Sequence, residues 1–192
     1  AEIWQKAYVT NCSANMESII ANSYCGGLVG FNSSCLILAS NVKFDTLSYD
    51  DETAYDSSIG GLVGYVEYGQ VFGCYAEFNT IKASRPESDY ADGVGGLVGR
   101  STENVCLYNS YAKGDIVYDG RYAGGLIGYN NTRHVKNCYA DVNLSDGIDF
   151  KGSLCGFNFG QICSCFTTKT GELAGGGDTS EEYDLIDCPV EY

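Results

Sequence analysis

The sequence predicts an all-β protein folded as a single-stranded parallel β-helix, or β-solenoid, of about five to six coils. A motif of the form Gly-Gly-Leu-Val-Gly recurs along the chain, and a second landmark recurs between its copies. Within each unit the apolar residues alternate with a period of two, which indicates strands and not helices. We expect a right-handed coil, because parallel crossovers almost always have that hand.

The glycine motif begins at Gly26, Gly60 and Gly95, again at Gly124 with Ile in place of Val, and in the altered form Gly-Ser-Leu-Cys-Gly at Gly152. One such unit cannot bury its apolar face alone, but a stack of units can. Glycine pairs let neighbouring backbone approach closely, so we expect them to turn a corner between two faces. Stacking predicts a structural ladder of Leu28, Leu62, Leu97, Leu126 and Leu154.

The second landmark is a Cys or Ser placed three residues after an apolar residue. The apolar residues are Val9, Ile37, Val71, Leu107, Val135 and Ile162, and the small residues are Cys12, Ser40, Cys74, Ser110, Cys138 and Cys165. Small side chains suit a tight corner, and a cysteine there behaves as a small hydrophobe. We therefore expect Cys12, Cys74, Cys138 and Cys165 to be free, buried members of a second ladder.

The remaining cysteines lie off this ladder and are the candidate disulfide cysteines: Cys25, Cys35, Cys106, Cys155, Cys163 and Cys188. Their connectivity cannot be read from the sequence. No CxxC pair is present and the chain has one histidine, so zinc is not favoured. We expect no cofactor, with incidental surface calcium as the one open possibility.

Charge limits the partners. The chain has 25 Asp and Glu against 11 Lys and Arg, a formal net charge of −14. Such a surface repels nucleic acid and anionic lipid, and no apolar run approaches the roughly 20 residues that span a bilayer. The chain begins at Ala1, as a mature secreted protein would, so we expect a secreted or cell-surface protein with neither nucleic-acid binding nor membrane insertion.

Two polar insertions support an alternative reading as a polysaccharide-active β-helix enzyme. The first contains Asp50, Asp51, Glu52 and Asp56, and the second contains Arg85, Asp89 and Asp92. Stacked insertions could bring carboxylates together as glycoside hydrolysis requires. His134, which Arg133 and Lys136 flank, is poorly placed to act as a general base, because basic neighbours lower its proton affinity.

The motif copies resemble the GLUG motif, a short repeat of bacterial surface proteins that include adhesin-like proteins and the non-catalytic region of some immunoglobulin A peptidases. The resemblance covers about residues 7–168. It implies an exported, repeat-built surface protein and supplies no catalytic residues.

We divide the chain into a solenoid of residues 1–174 and an acidic tail of residues 175–192 that begins at a glycine hinge. The tail could cap its own coil or add a strand to another molecule. The sequence thus favours a non-catalytic extracellular protein, either an adhesin-like module or a filament subunit. Its partner would be itself, head to tail, or a glycan or protein of a host or cell surface.

Overall fold

The computed structural model describes residues 7–21, 23–49, 58–84, 93–132 and 134–177, and these form twenty β-strands and no helix. The strands lie in three sheets. The first sheet contains β1 (Tyr8–Thr10), β4 (Val29–Asn32), β5 (Leu36–Leu38), β8 (Val63–Phe72), β11 (Val98–Tyr108), β14 (Ile127–Asn130), β15 (His134–Lys136), β18 (Cys155–Asn158) and β19 (Gln161–Cys163). The second contains β2 (Ser13–Ala21), β6 (Asn41–Tyr49), β9 (Tyr75–Ala83), β12 (Tyr111–Tyr118), β16 (Tyr139–Leu144) and β20 (Phe166–Thr167). The third contains β3 (Cys25–Gly26), β7 (Ser58–Gly60), β10 (Gly93–Gly95), β13 (Tyr122–Gly124) and β17 (Phe150–Gly152).

Every described strand pair is parallel, and each strand pairs with the strand at the same place in a neighbouring unit. Val42 of β6 lies opposite Ala76 of β9, which lies opposite Ala112 of β12. The all-β prediction is confirmed, and the three parallel sheets are consistent with a β-helix-like fold. In the described part of the chain, no helix is long and apolar enough to cross a membrane.

The core consists of columns of apolar side chains that point between the sheets. One column contains the predicted apolar residues before the Cys/Ser landmark, and its register runs Val9, Ile37, Val71, Leu107, Val135 and Ile162. All but Val9 are buried. Alternate residues face inward because strand side chains alternate between faces, and full burial of each stabilises the fold by about 1.5–3 kcal/mol.

The turn from the first sheet into the second has a left-handed residue in all six units. Asn11, Ala39, Gly73, Asn109, Asn137 and Ser164 have φ values of 53, 47, 64, 50, 55 and 51°. Each immediately precedes a member of the Cys/Ser ladder. Asn and Gly tolerate this conformation best, which explains why four of the six positions carry them.

The motif glycines serve close backbone approach, and in the five copies that begin at Gly26, Gly60, Gly95, Gly124 and Gly152 none has a left-handed φ. A Cβ added at Gly60 would meet the carbonyl oxygen of Val63 in its own unit and would lie 2.6 Å from the backbone nitrogen of Gly99 in the next. The corner between the third and first sheets is therefore too tight for any side chain at this position.

The motif leucines are linked through their backbones from unit to unit. The nitrogen of Leu62 donates to the oxygen of Leu97 at 2.9 Å, and that of Leu97 donates to Leu126 at 2.9 Å. The chain of bonds begins at Leu28 and continues through Leu154 to Leu173. Leu28 is half-buried, whereas Leu62, Leu97, Leu126 and Leu154 are buried.

Leu173 belongs to a sixth, altered motif copy that the sequence reading missed, Gly171-Glu-Leu-Ala-Gly175. It keeps the first glycine, the leucine and the last glycine, but it begins only 19 residues after Gly152, whereas earlier copies are at least 28 apart. Residues 172–177 pair with residues 153–158, which contain β18, with the Gly175 nitrogen 3.1 Å from the Cys155 oxygen and a parallel bridge between Asn158 and Gly177. The rest of the predicted tail lies outside the described residues.

Candidate functional site

The outer face of the first sheet has a column of rings interrupted by one arginine. Strand register places Phe31, Tyr65, Arg100, Tyr129 and Phe157 side by side on five neighbouring strands, and we call this column the outer ladder. Each residue directly follows a copy of the glycine motif. They point away from the core because the residue directly after each, such as Val66 after Tyr65 or Ser101 after Arg100, is buried, and successive side chains of a strand point to opposite faces.

The members of the outer ladder stack on one another. Ring centroids are 5.2 Å apart between Phe31 and Tyr65, and 5.8 Å apart between Tyr129 and Phe157, with an interplanar angle of 8° for the second pair. The guanidinium carbon of Arg100 lies 5.2 Å from the Tyr65 centroid and 5.7 Å from the Tyr129 centroid. Arg100 thus joins two ring pairs by cation–π contacts, each worth about 0.5–2 kcal/mol.

Further rings flank the outer ladder at both ends. The ring centroid of Tyr24 lies 5.5 Å from that of Phe31, and the ring centroid of Phe159 lies 5.0 Å from that of Phe157. Phe31 and Phe159 are 46% and 42% exposed, whereas an apolar ring is ordinarily withdrawn from water. The face therefore presents aromatic surface that the fold itself does not cover.

The outer face of the second sheet carries an ion pair. Lys43 Nζ lies 2.7 Å from Glu77 Oε2, and the Tyr111 hydroxyl donates to Glu77 Oε1 at 2.6 Å. These two hydrogen bonds, that from Lys43 first, hold the pKa of Glu77 below its usual range. A groove of about 540 Å³ runs over this group and is lined in part by Asn15, Phe44 and Lys113. The groove therefore lies over a paired carboxylate, and Tyr75, Tyr111, Tyr139 and Phe166 form a second column of rings on neighbouring strands of this sheet.

A column of buried asparagine and serine lies at the edge of the first sheet. Asn130 Oδ1 accepts from Ser101 Oγ at 3.2 Å and from Thr132 Oγ1 at 2.6 Å, and Asn130 Nδ2 donates to Asn158 Oδ1 at 2.6 Å. The side chain of Asn32 bonds within its own unit: Nδ2 donates to the Cys35 oxygen at 3.0 Å, and Oδ1 accepts from the Cys35 nitrogen at 2.7 Å. Asn32 and Asn130 both stand in Asn-x-Ser/Thr triplets, and because they are only 2% and 0% exposed there is no room for an attached sugar.

The Cys/Ser ladder is a hydrogen-bonded column. The hydroxyl of Ser110 donates to the Tyr108 oxygen at 2.7 Å and accepts from the Cys74 nitrogen at 3.1 Å. The four ladder cysteines are free thiols, of which Cys74 and Cys138 are buried and Cys12 and Cys165 half-buried. Burial raises the pKa of the Cys74 thiol, so it stays protonated as a donor.

The off-ladder cysteines are scattered. None of the nine cysteines in the described part of the chain forms a disulfide here, and Cys188 lies outside it. Cys25 and Cys155 are buried, with burial raising the pKa of Cys25 to about 11. Cys35, Cys106 and Cys163 are half-buried.

The residues considered for catalysis are not assembled into a described site. Both predicted carboxylate insertions, with Arg85, lie outside the described residues. His134 lies in β15 opposite Cys106 on one side and Gln161 on the other. Among the described residues, no group of three or more His, Cys, Asp or Glu could hold a metal ion.

Comparison with known proteins identifies the repeat. The family model for the GLUG motif matches residues 55–82 and 119–145, which contain the copies at Gly60 and Gly124. No solved structure gives a significant match.

Two curated proteins can be aligned with most of the chain. Halomucin of Haloquadratum walsbyi is 31% identical over 150 residues, 73% of this chain and 2% of halomucin. Immunoglobulin A1 protease of Streptococcus sanguinis is 32% identical over 143 residues, 66% of this chain and 7% of the protease. The chain therefore spans only a small fraction of the length of each relative.

Proposed function

Because this chain is a GLUG-motif repeat protein, we propose that it is a non-catalytic extracellular module whose outer ladder binds a ligand at a cell surface. The observation that carries the proposal is the column of four rings and one arginine in register on five neighbouring strands. Such a column is held by backbone pairing, so little side-chain freedom is lost when a ligand lies along it.

The scaffold we propose is a single-stranded, right-handed β-solenoid. In each unit the chain passes from the second sheet to the third and then to the first, before the left-handed corner returns it to the second. Partners on neighbouring strands are about one unit apart in sequence, as Tyr8 and Leu36 are. Continuous winding in one sense accounts for both facts, and the right hand is that of nearly all parallel crossovers.

Aromatic rings suit an adhesive surface. They bury a large area with few rotatable bonds, and they are enriched in protein interfaces. The nonpolar face of a sugar ring also stacks on an aromatic ring, so a glycan or a protein fits the outer ladder. The formal net charge of the chain is −14, which would repel the phosphates of a nucleic acid, so charge supports a glycan or protein ligand instead. One relative is named for acting on immunoglobulin A1, a secreted antibody, which supports placement outside the cell.

Binding to a second copy is the competing mode. The backbone of residues 172–177 already adds to β18 as a further partial rung, and another molecule could add strands in the same way. That mode would use the backbone at the end of the stack, whereas a ligand on the outer ladder would use side chains along its flank. Variants of the outer ladder distinguish the two.

We would measure binding of the full chain to an array of extracellular glycans and surface proteins, with sedimentation in parallel. The double variant Tyr65→Ser/Tyr129→Ser removes the rings on both sides of Arg100. The control, Tyr75→Ser/Tyr139→Ser, removes from the outside of the second sheet two rings that each contact a neighbouring ring, Tyr111 and Phe166 respectively. We expect the first to weaken binding roughly tenfold or more and the control to change it little, at about 1 kcal/mol for each lost stack.

Equal loss in both variants, or ligand binding that neither affects, would refute a role for the outer ladder. Self-association of the wild type that survives in both variants, without binding to any array member, would favour the filament subunit instead. Hydrolysis of an array glycan by the wild type would contradict the non-catalytic assignment.

A further inference from the structure

The Cys/Ser ladder places two thiols side by side at one point. Its first four positions alternate as Cys12, Ser40, Cys74 and Ser110, so that a hydroxyl separates each pair of thiols. The last two positions are Cys138 and Cys165, on neighbouring units. Since all six positions are described, these two are the one pair of adjacent thiols in this column.

Strand pairing fixes the distance between the two cysteines. Tyr139 lies opposite Phe166 and Ala140 opposite Thr167, so Cys138 and Cys165 are the preceding residues of two in-register parallel strands. The backbone nitrogen of Cys138 donates to Cys165 Sγ at 3.3 Å. Paired strands run about 4.8 Å apart, within the 4.4–6.8 Å range of Cα separations that disulfides span.

The two thiols differ in exposure and in acidity. Cys138 is fully buried, whereas Cys165 is half-buried and open to a small reagent. The interaction between the two side chains lowers the pKa of Cys165 and raises that of Cys138, and the Cys138 thiol donates to the Lys136 oxygen at 3.3 Å. The accessible thiol is therefore the better nucleophile, and the buried one stands next to it as the resolving thiol. Cys155, the other nearby thiol, is fully buried, and burial raises its pKa.

We propose that Cys138 and Cys165 form a disulfide that joins two successive units when the protein meets a low-molecular-weight disulfide. The Cys165 thiolate attacks one sulfur of the reagent and releases the first reduced thiol. The Cys138 thiolate then attacks the Cys165 sulfur and releases the second. Two protein thiols are oxidised to one disulfide, the reagent is reduced to two thiols, and the two cysteine protons pass to the released thiolates. The site is independent of ligand binding at the outer ladder.

The test treats the folded, reduced full chain with oxidised glutathione, blocks the remaining thiols by alkylation and digests the product with trypsin. Cleavage after Lys136, Lys151 and Lys169 leaves Cys138 in peptide 137–151 and Cys165 in peptide 152–169. We expect mass spectrometry to show these two peptides linked and two fewer free thiols in this pair of peptides.

Two serine variants assign the bond. Cys165→Ser places at this position the residue that Ser40 and Ser110 already have in the same column, so the variant retains the ladder's hydrogen bonds, and it should lose the linked peptides. Cys163→Ser removes the half-buried cysteine of the same peptide and should retain them. Absence of the linked pair from the wild type, glutathione retained on Cys165 without a linked pair, or persistence of the link in Cys165→Ser would each overturn the proposal.

Discussion

Replacing Gly95 by alanine should destabilise the protein far more than the same replacement at Gly73, although both glycines lie at corners between sheets. At Gly95 an added Cβ would meet the Val98 carbonyl oxygen and lie 2.8 Å from the Leu126 oxygen and the Gly128 nitrogen. At Gly73 the nearest atom is the Ala39 nitrogen, 4.0 Å away, but φ is +64°. The first change therefore tests close approach and the second tests backbone conformation.

The magnitudes follow from those contacts. A residue with a side chain in the left-handed region costs about 1–2 kcal/mol, and the smaller chain entropy of the unfolded alanine variant offsets part of it, so Gly73→Ala should cost about 1 kcal/mol. Ala39 already has φ of +47° at the same corner, which shows that the turn accepts alanine. Gly95→Ala forces two backbone segments apart, and its cost should exceed about 4 kcal/mol.

Urea unfolding followed by far-ultraviolet circular dichroism measures both variants. With a slope of about 1–3 kcal/mol per molar urea, Gly73→Ala should lower the midpoint by about 0.3–1 M. Gly95→Ala should lower the urea midpoint several times as much, or prevent folding altogether. In the second case, folding of Gly73→Ala would still show that the two corners differ. Equal losses, or a larger loss at Gly73, would refute close approach as the reason for the motif glycine.

Two further predictions concern the core and the ion pair on the second sheet. Leu97→Ala should lower the free energy of unfolding by about 2–5 kcal/mol because Leu97 is fully buried, and Leu28→Ala should cost less because Leu28 is half-buried; thermal denaturation that ranks them the other way would contradict the column. The lowered pKa of Glu77 means that its stabilising contribution is complete above the ordinary glutamate pKa of about 4.3 and is lost as pH falls through the lowered folded-state pKa. Glu77→Gln should therefore melt below the wild type at pH 6 and closer to it at pH 3, and a constant difference would contradict the assigned pairing.

The glycine motif shows how far sequence reasoning reached. Repetition identified the corner, and the resemblance to the GLUG motif is confirmed by the family model. The reason for the glycines is close approach of backbone from two units, which depends on the distance between rungs. The left-handed residues lie instead before the Cys/Ser ladder, where only four of six are Asn or Gly. No shared residue type marked that turn, so the sequence did not reveal it.

The outer ladder was present in the sequence without being recognised. Phe31, Tyr65, Arg100 and Tyr129 stand at one offset, directly after the last glycine of the motif. Phe157 occupies the same offset after the altered copy. The equal offset was the available signal, but stacking also requires in-register strands, and β8 and β11 change register between Ser101 and Asn104, just beyond the ladder.

The sequence by itself determined the all-β character, the unit boundaries and the inward columns, because a period of two and a repeated motif specify which side chains must be buried together. Only the tertiary structure decided which residues of different units meet on the outside and at the corners. Those contacts join residues far apart in the chain, such as Arg100 with Tyr129 and Cys138 with Cys165, which is 27 positions away, and they depend on the register between strands. The tertiary structure also decided that Asn130 is buried, where its side chain bonds to Ser101, Thr132 and Asn158.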